Sequence, residues 1–148
     1  PSKGTVDIFI EPSLPLPELV VMGASPVARA LCSLAAQFQF AIRAVKGDME
    51  LAPTSRQRYV VIATQGQGDM AALNAALANG PSLISFVGSS RKFAALSQKL
   101  MDAGADPAAV RSVKAPAGLN INAVTPDEIA LSILAELVKQ RRAARAEV

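Results

Sequence analysis

A chain of 148 residues, 51% hydrophobic and with a net charge of +3, suits one domain with a closed core. It has no histidine and one cysteine, Cys32, which excludes Ser-His-Asp and Cys-His catalysis, the commonest zinc sites and a disulfide framework. Five Phe, one Tyr and no Trp leave no stacking platform for single-stranded nucleic acid, and no apolar run approaches the roughly 20 residues of a membrane span.

The start is polar and lacks the basic and apolar regions of a secretory signal, so a cytoplasmic protein is expected. Position 1 is Pro rather than Met, which reads as a fragment or a processed product. Residues 1–17 read as a lead-in strand, Val6 to Ile10, and a proline-rich linker, Glu11 to Pro17, from a missing N-terminal domain. Residues 18–148 read as one further domain.

Leu19 to Met22 is a continuous apolar run and predicts a fully buried strand. Ser25 then caps a helix with Pro26 at its first position, and Val27, Leu31, Leu34 and Phe38 form the core stripe. Cys32 beside that stripe reads as a small buried hydrophobe. Phe40 to Val45 predicts a second strand, and Lys46 to Arg58 a polar loop that could serve as a lid. Tyr59 to Ala63 predicts a third strand, followed by a helix from about Asp69 to Asn79 that Gly80-Pro81 stops.

Leu83 to Val87 predicts a fourth strand and Arg91 to Ala103 the helix after it. Asp106-Pro107 caps a short helix to about Val113, and Lys114 to Asn122 is irregular, with Pro116 and Gly118. Thr125-Pro126-Asp127-Glu128 is a capping box that launches the longest helix. Lys139, Arg141, Arg142 and Arg145 crowd its last turns, where cations complement the macrodipole, so the charge indicates no nucleic-acid surface. Alternating strands and helices predict a three-layer, Rossmann-like α/β fold: an open parallel sheet with helices on both faces.

The turn after the first strand carries most of the functional signal. Gly23 fits the first glycine of G-x-G-x-x-G, while Ser25 and Ala28 stand at the second and third. Ser25 puts a side chain where a pyrophosphate would approach, and Pro26 deletes a donor. No acidic residue follows the second strand to bind a ribose; Val45, Lys46 and Gly47 stand there, with Asp48 slightly late. NAD(P) is therefore disfavoured as the ligand.

Val87-Gly88-Ser89-Ser90 echoes Met22-Gly23-Ala24-Ser25, and Thr64-Gln65-Gly66 is a third small-residue turn. All three should meet at the carboxyl edge of the sheet, where open α/β folds bind ligands. The candidate binding residues are thus Gly23, Ala24, Ser25, Pro26, Val27, Thr64, Gln65, Gly66, Gly88, Ser89, Ser90 and Arg91. Any one glycine is explained by a tight turn; three together point to a pocket. Arg91 and Lys92 open a helix, where cations are unfavourable unless an anion sits there, so Arg91 is the candidate anion contact. Asp69, Asp127 and Glu128 have capping explanations, and the sequence nominates no catalytic residue and no metal ligand.

Leu19 to Leu31, Gly88-Ser89-Ser90-Arg91-Lys92, Ala115 to Ile121 and Thr125 to Ile133, in this order and spacing, resemble the C-terminal Rossmann-like domain of the xanthine dehydrogenase accessory family (XdhC/CoxI/CoxF). Gly-Ala-Ser-Pro at 23–26 marks a CoxF-like variant. The resemblance implies a maturation factor for molybdenum hydroxylases of the xanthine or carbon monoxide dehydrogenase type. Such a factor binds the molybdenum cofactor as cargo and hands it to the apo molybdenum hydroxylase, its expected partner beside the missing N-terminal domain. An accessory protein rather than an enzyme is expected, and the high apolar fraction leans towards a homodimer. Two alternatives stay open: an NAD(P)-binding oxidoreductase-like domain, and a ligand-free docking module for a dehydrogenase.

Overall fold

The computed structural model describes residues 3–10, 15–47 and 49–146. Leu19, Val20, Val21 and Met22 need cover on both faces, and the fold supplies it. Strand β1 (Glu18–Met22) lies between β2 (Ala41–Val45) and β3 (Arg58–Ile62), with β4 (Leu83–Phe86) beyond β3, in the order β2-β1-β3-β4. All pairings are parallel, with Val20 opposite Arg43 on one side and Val60 on the other.

Alternation along the strands sorts the core into two layers. Leu19, Val21, Tyr59 and Val61 face α1 (Pro26–Ala35) and the long α5 (Pro126–Ala146). Val20, Met22, Val60, Ile62, Ile84 and Phe86 face α2 (Asp69–Leu77), α3 (Ser90–Asp102) and the short α4 (Pro107–Arg111). The three-layer, Rossmann-like α/β expectation is met. Leu51 is also buried in this second layer, and its carbonyl accepts a hydrogen bond from the Asn79 side chain at 2.5 Å. The loop around Leu51 is thereby anchored next to α2.

The helix starts follow their local chemistry. Ser25 Oγ accepts the Ala28 N–H at 3.1 Å, with Pro26 at the first helical position. Thr125 Oγ1 accepts the Glu128 N–H at 3.2 Å, while the Glu128 carboxylate accepts the Thr125 and Val124 N–H groups, completing the capping box.

Three expectations need correction. Val6, Ile8, Phe9 and Ile10 are all more than three-quarters exposed, and residues 3–10 form no strand. They alternate correctly, but no neighbour among the described residues pairs with them, and a lone strand has nowhere to place its N–H and C=O groups. Glu11 to Leu14, part of the expected linker, and Asp48 lie outside the described residues.

Phe38, expected in the α1 stripe, is exposed, because α1 ends at Ala35 and the helical register does not extend to it. Phe40 is buried instead, edge-on to Tyr59. Arg141, expected only to complement the macrodipole at the end of the last helix, is buried and has specific partners. Its guanidinium donates to the Phe38 carbonyl at 2.7 Å and stacks 4.5 Å over the Phe40 ring, tying α5 to the turn that ends α1.

Candidate functional site

The three small-residue turns do lie at the carboxyl edge of the sheet, but their surroundings differ. After β1, the Gly23 N–H donates to the Val45 carbonyl at 3.0 Å. A Cβ at Gly23 would overlap the Ala63 carbonyl and stand 2.9 Å from Thr64 Cα, at a φ of +112°. The first-glycine reading thus has a backbone cause: β1 and β3 approach too closely there for a side chain. Ser25 is spent on its own cap, and Ala24 and Pro26 are exposed beside a half-buried Val27.

After β3, Gln65 and Gly66 are exposed with positive φ. Thr64 Oγ1 donates to Asp69, whose carboxylate also pairs with Lys92 Nζ at 3.2 Å. Asp69 is therefore no cap, since Gly68 occupies that position. It is a buried anion at the start of α2 that receives the cation from the start of α3. Lys92 has its anion within the chain; Arg91 beside it is exposed.

The turn after β4 is the one that opens into space. Gly88 and Ser89 line a cavity of about 770 Å³ with Val87, Lys114, residues 116–123, and Ile129 and Ser132 of α5. Ser90 starts α3 just outside it, and Ser89 Oγ accepts the Lys92 N–H at 3.1 Å as its cap. Of the twelve candidate residues, Gly88 and Ser89 line this cavity; the β1 and β3 turns contribute nothing to its wall.

The rest of the wall comes from the irregular stretch, and its placement follows from three anchors. Lys114 lies alongside β4, its N–H donating to the Ile84 carbonyl and its own carbonyl accepting from Phe86, both at 2.8 Å. Gly118 is pressed on α5, where a Cβ would overlap Ser132 Oγ and stand 3.0 Å from the Ser132 carbonyl carbon, at a φ of +93°. The third anchor is Glu136 of α5, buried between loop and sheet. Its carboxylate accepts from Ser85 Oγ at 3.3 Å, from the Gly118 N–H at 3.2 Å and from Lys114 Nζ. Lys114 Nζ also donates to the Gly118 carbonyl at 3.0 Å.

Burying a carboxylate is costly unless it is paired and hydrogen-bonded, and Glu136 is both. Glu136 therefore ties the loop that forms the cavity wall to both the sheet and α5. Cys32 lies elsewhere, half-buried against α1's core face, where desolvation pushes its thiol pKa up and keeps it protonated. The cavity thus offers backbone groups, the Ser89 and Ser132 hydroxyls, the Asn120 and Asn122 amides, Lys114 and apolar surface.

Sequence reasoning passed over Ser132 and Glu136, although two polar residues four apart within the apolar stripe of a long helix mark a face that meets polar chain. It also gave the 114–122 stretch no role beyond the family resemblance. Nine residues without periodicity inside a compact fold, carrying a glycine, are themselves a signal of a binding loop.

The model of the XdhC Rossmann domain matches residues 19–137. Among curated proteins, the chain is similar to the uncharacterized protein YqeB of Escherichia coli, 29% identical over 160 residues that cover 92% of this chain and 29% of YqeB. Among solved structures, it is similar to a Bacillus halodurans protein described as a xanthine dehydrogenase. That match has a TM-score of 0.68 at 22% identity and covers 87% of this chain and 44% of the other. The chain spans under a third of the curated relative and under half of the structural one.

Proposed function

This chain belongs to the XdhC Rossmann-domain family, and on that premise we propose that it is the cargo-holding domain of an accessory factor for molybdenum hydroxylases. The cavity beside the Gly88 turn receives the molybdenum cofactor and holds it until an apoenzyme takes it. The observation that carries this reading is the cavity itself. It is large enough for a substantial small molecule, stands at the carboxyl edge of a parallel sheet, and is lined by hydrogen-bonding groups beside a lysine whose ammonium is paired with Glu136. Such a site suits holding rather than transforming. In this reading the factor works in the cytoplasm, with an apo molybdenum hydroxylase as its partner.

The test is a loading and transfer experiment. The protein is incubated with isolated molybdenum cofactor, freed of excess by gel filtration, and mixed with apo xanthine dehydrogenase. Retention of stoichiometric pterin followed by reconstituted dehydrogenase activity is expected. Retention of NADPH but not of the cofactor would overturn the reading in favour of a dinucleotide site.

A further inference from the structure

We infer that the cavity is built for the uncharged, planar end of its ligand: a bicyclic heterocycle of pterin type, with amide-like donors and acceptors on its edge, rather than for an anionic group. The inference rests on the cofactor-holding reading and specifies which part of the cargo is buried.

The argument turns on Lys114. It is the one charged residue in the lining, and a cavity with one lysine invites an anion. But an ammonium has three N–H donors, and all three have acceptors within the chain. They go to the buried Glu136 carboxylate, to the Gly118 carbonyl at 3.0 Å and to the Pro116 carbonyl at 3.5 Å. Glu136 cancels the lysine's charge from behind the wall. The lysine is 45% exposed but its charge is paired in the wall, so an anion taken out of water there would have to compete with Glu136 for it.

What remains is chemistry for a neutral ring. Val87 and Ile121 add apolar surface to the lining, and Asn120, Asn122 and Ser89 add hydrogen-bonding groups. A pterin buries its flat faces against the first and pairs its edge with the second. An anionic substituent on the ring would then project from the cavity into solvent.

The test uses the 148-residue chain and unsubstituted pterin, followed by its own fluorescence. Binding is expected to change less than about twofold between about 0.05 and 0.5 M salt, because no charge is paired across the interface. Inorganic phosphate should not compete. The variant Glu136→Gln removes the cancelling charge and releases Lys114, so phosphate binding should strengthen at least about tenfold while pterin affinity stays within a few-fold. The pair Lys114→Gln with Glu136→Gln discards both charges while keeping an acceptor for Ser85 Oγ and the Gly118 N–H, so it should keep salt-insensitive pterin binding without gaining phosphate binding, even if Glu136→Gln alone does not fold.

Failure of pterin to bind, competition by phosphate in the wild type, or a salt dependence above about tenfold would each overturn the inference. Its fate is separable from that of the cofactor-holding reading. Salt-insensitive pterin binding without transfer to an apoenzyme removes that reading and leaves the inference. Transfer of a cofactor whose retention is salt-sensitive does the reverse.

Discussion

The turns after β1 and β4 share a pattern of strand, glycine, small residue and serine, and they do opposite things. At Gly23 the chain is squeezed against the Ala63 carbonyl and Ser25 closes on its own helix, so the turn is sealed. At Gly88 the crowding comes from one side only, where a Cβ would stand 2.6 Å from the Phe86 ring, and the other side opens into the cavity. Position in the sheet makes the difference. β1 is central, hemmed by β2 and β3, whereas β4 is an outer strand whose far side is filled by an irregular loop. A motif of this kind fixes the backbone of a turn; its neighbours decide whether anything can bind there.

If Gly23 is only a packing position, Gly23→Ala should lower stability by about 3–5 kcal/mol, from positive-φ strain plus overlap with backbone that cannot yield. A urea denaturation curve would show the shift in midpoint, with ligand affinity of the folded fraction unchanged. Gly118→Ala should cost somewhat less, about 2–4 kcal/mol, because the Ser132 hydroxyl can rotate away. It should also abolish binding, since the wall is prised off α5; calorimetric titration of the folded variant with pterin checks this.

Cap removal separates the two turns at equal thermodynamic cost. Ser25→Ala and Ser89→Ala should each lose about 1 kcal/mol, but the Ser89 change alone should weaken ligand binding. The start of α5 supplies a finer test through acidity. The Thr125 and Val124 N–H groups hold the Glu128 carboxyl below its usual range. Its stabilising effect is present above the unfolded carboxyl value and is lost as pH falls through the lowered one. Glu128→Gln should flatten that part of the acid unfolding profile. The smallest effect is expected at Arg91, exposed and outside the cavity lining, where Arg91→Ala should change stability by less than about 0.5 kcal/mol.

The order of elements was legible wherever local chemistry determines structure. The apolar run at 19–22, Ser25-Pro26 and the capping box at 125–128 each carry their cause within a few residues. Val6 to Ile10 had the right alternation and lacked a partner strand, which no local pattern reveals. Phe38 had the right spacing and lay beyond the helix end. The site was legible in part. The carboxyl edge and the Gly88 turn follow from βαβ logic, but the cavity wall depends on Glu136 reaching Lys114 and Gly118 from another element. Arg141 misled for the same reason: its acceptor, the Phe38 carbonyl, is 103 positions away in the chain.

The alignment of Lys114 with β4 has a consequence for solubility. An outer strand with free N–H and C=O groups is a template on which another chain can grow. Here Ile84 and Phe86 are hydrogen-bonded to Lys114, so the loop that walls the cavity also blunts the edge of the sheet. Variants that loosen residues 114–118 should therefore show self-association as well as weaker binding. If pterin binding holds the loop in place, light scattering should show less self-association with pterin than without it.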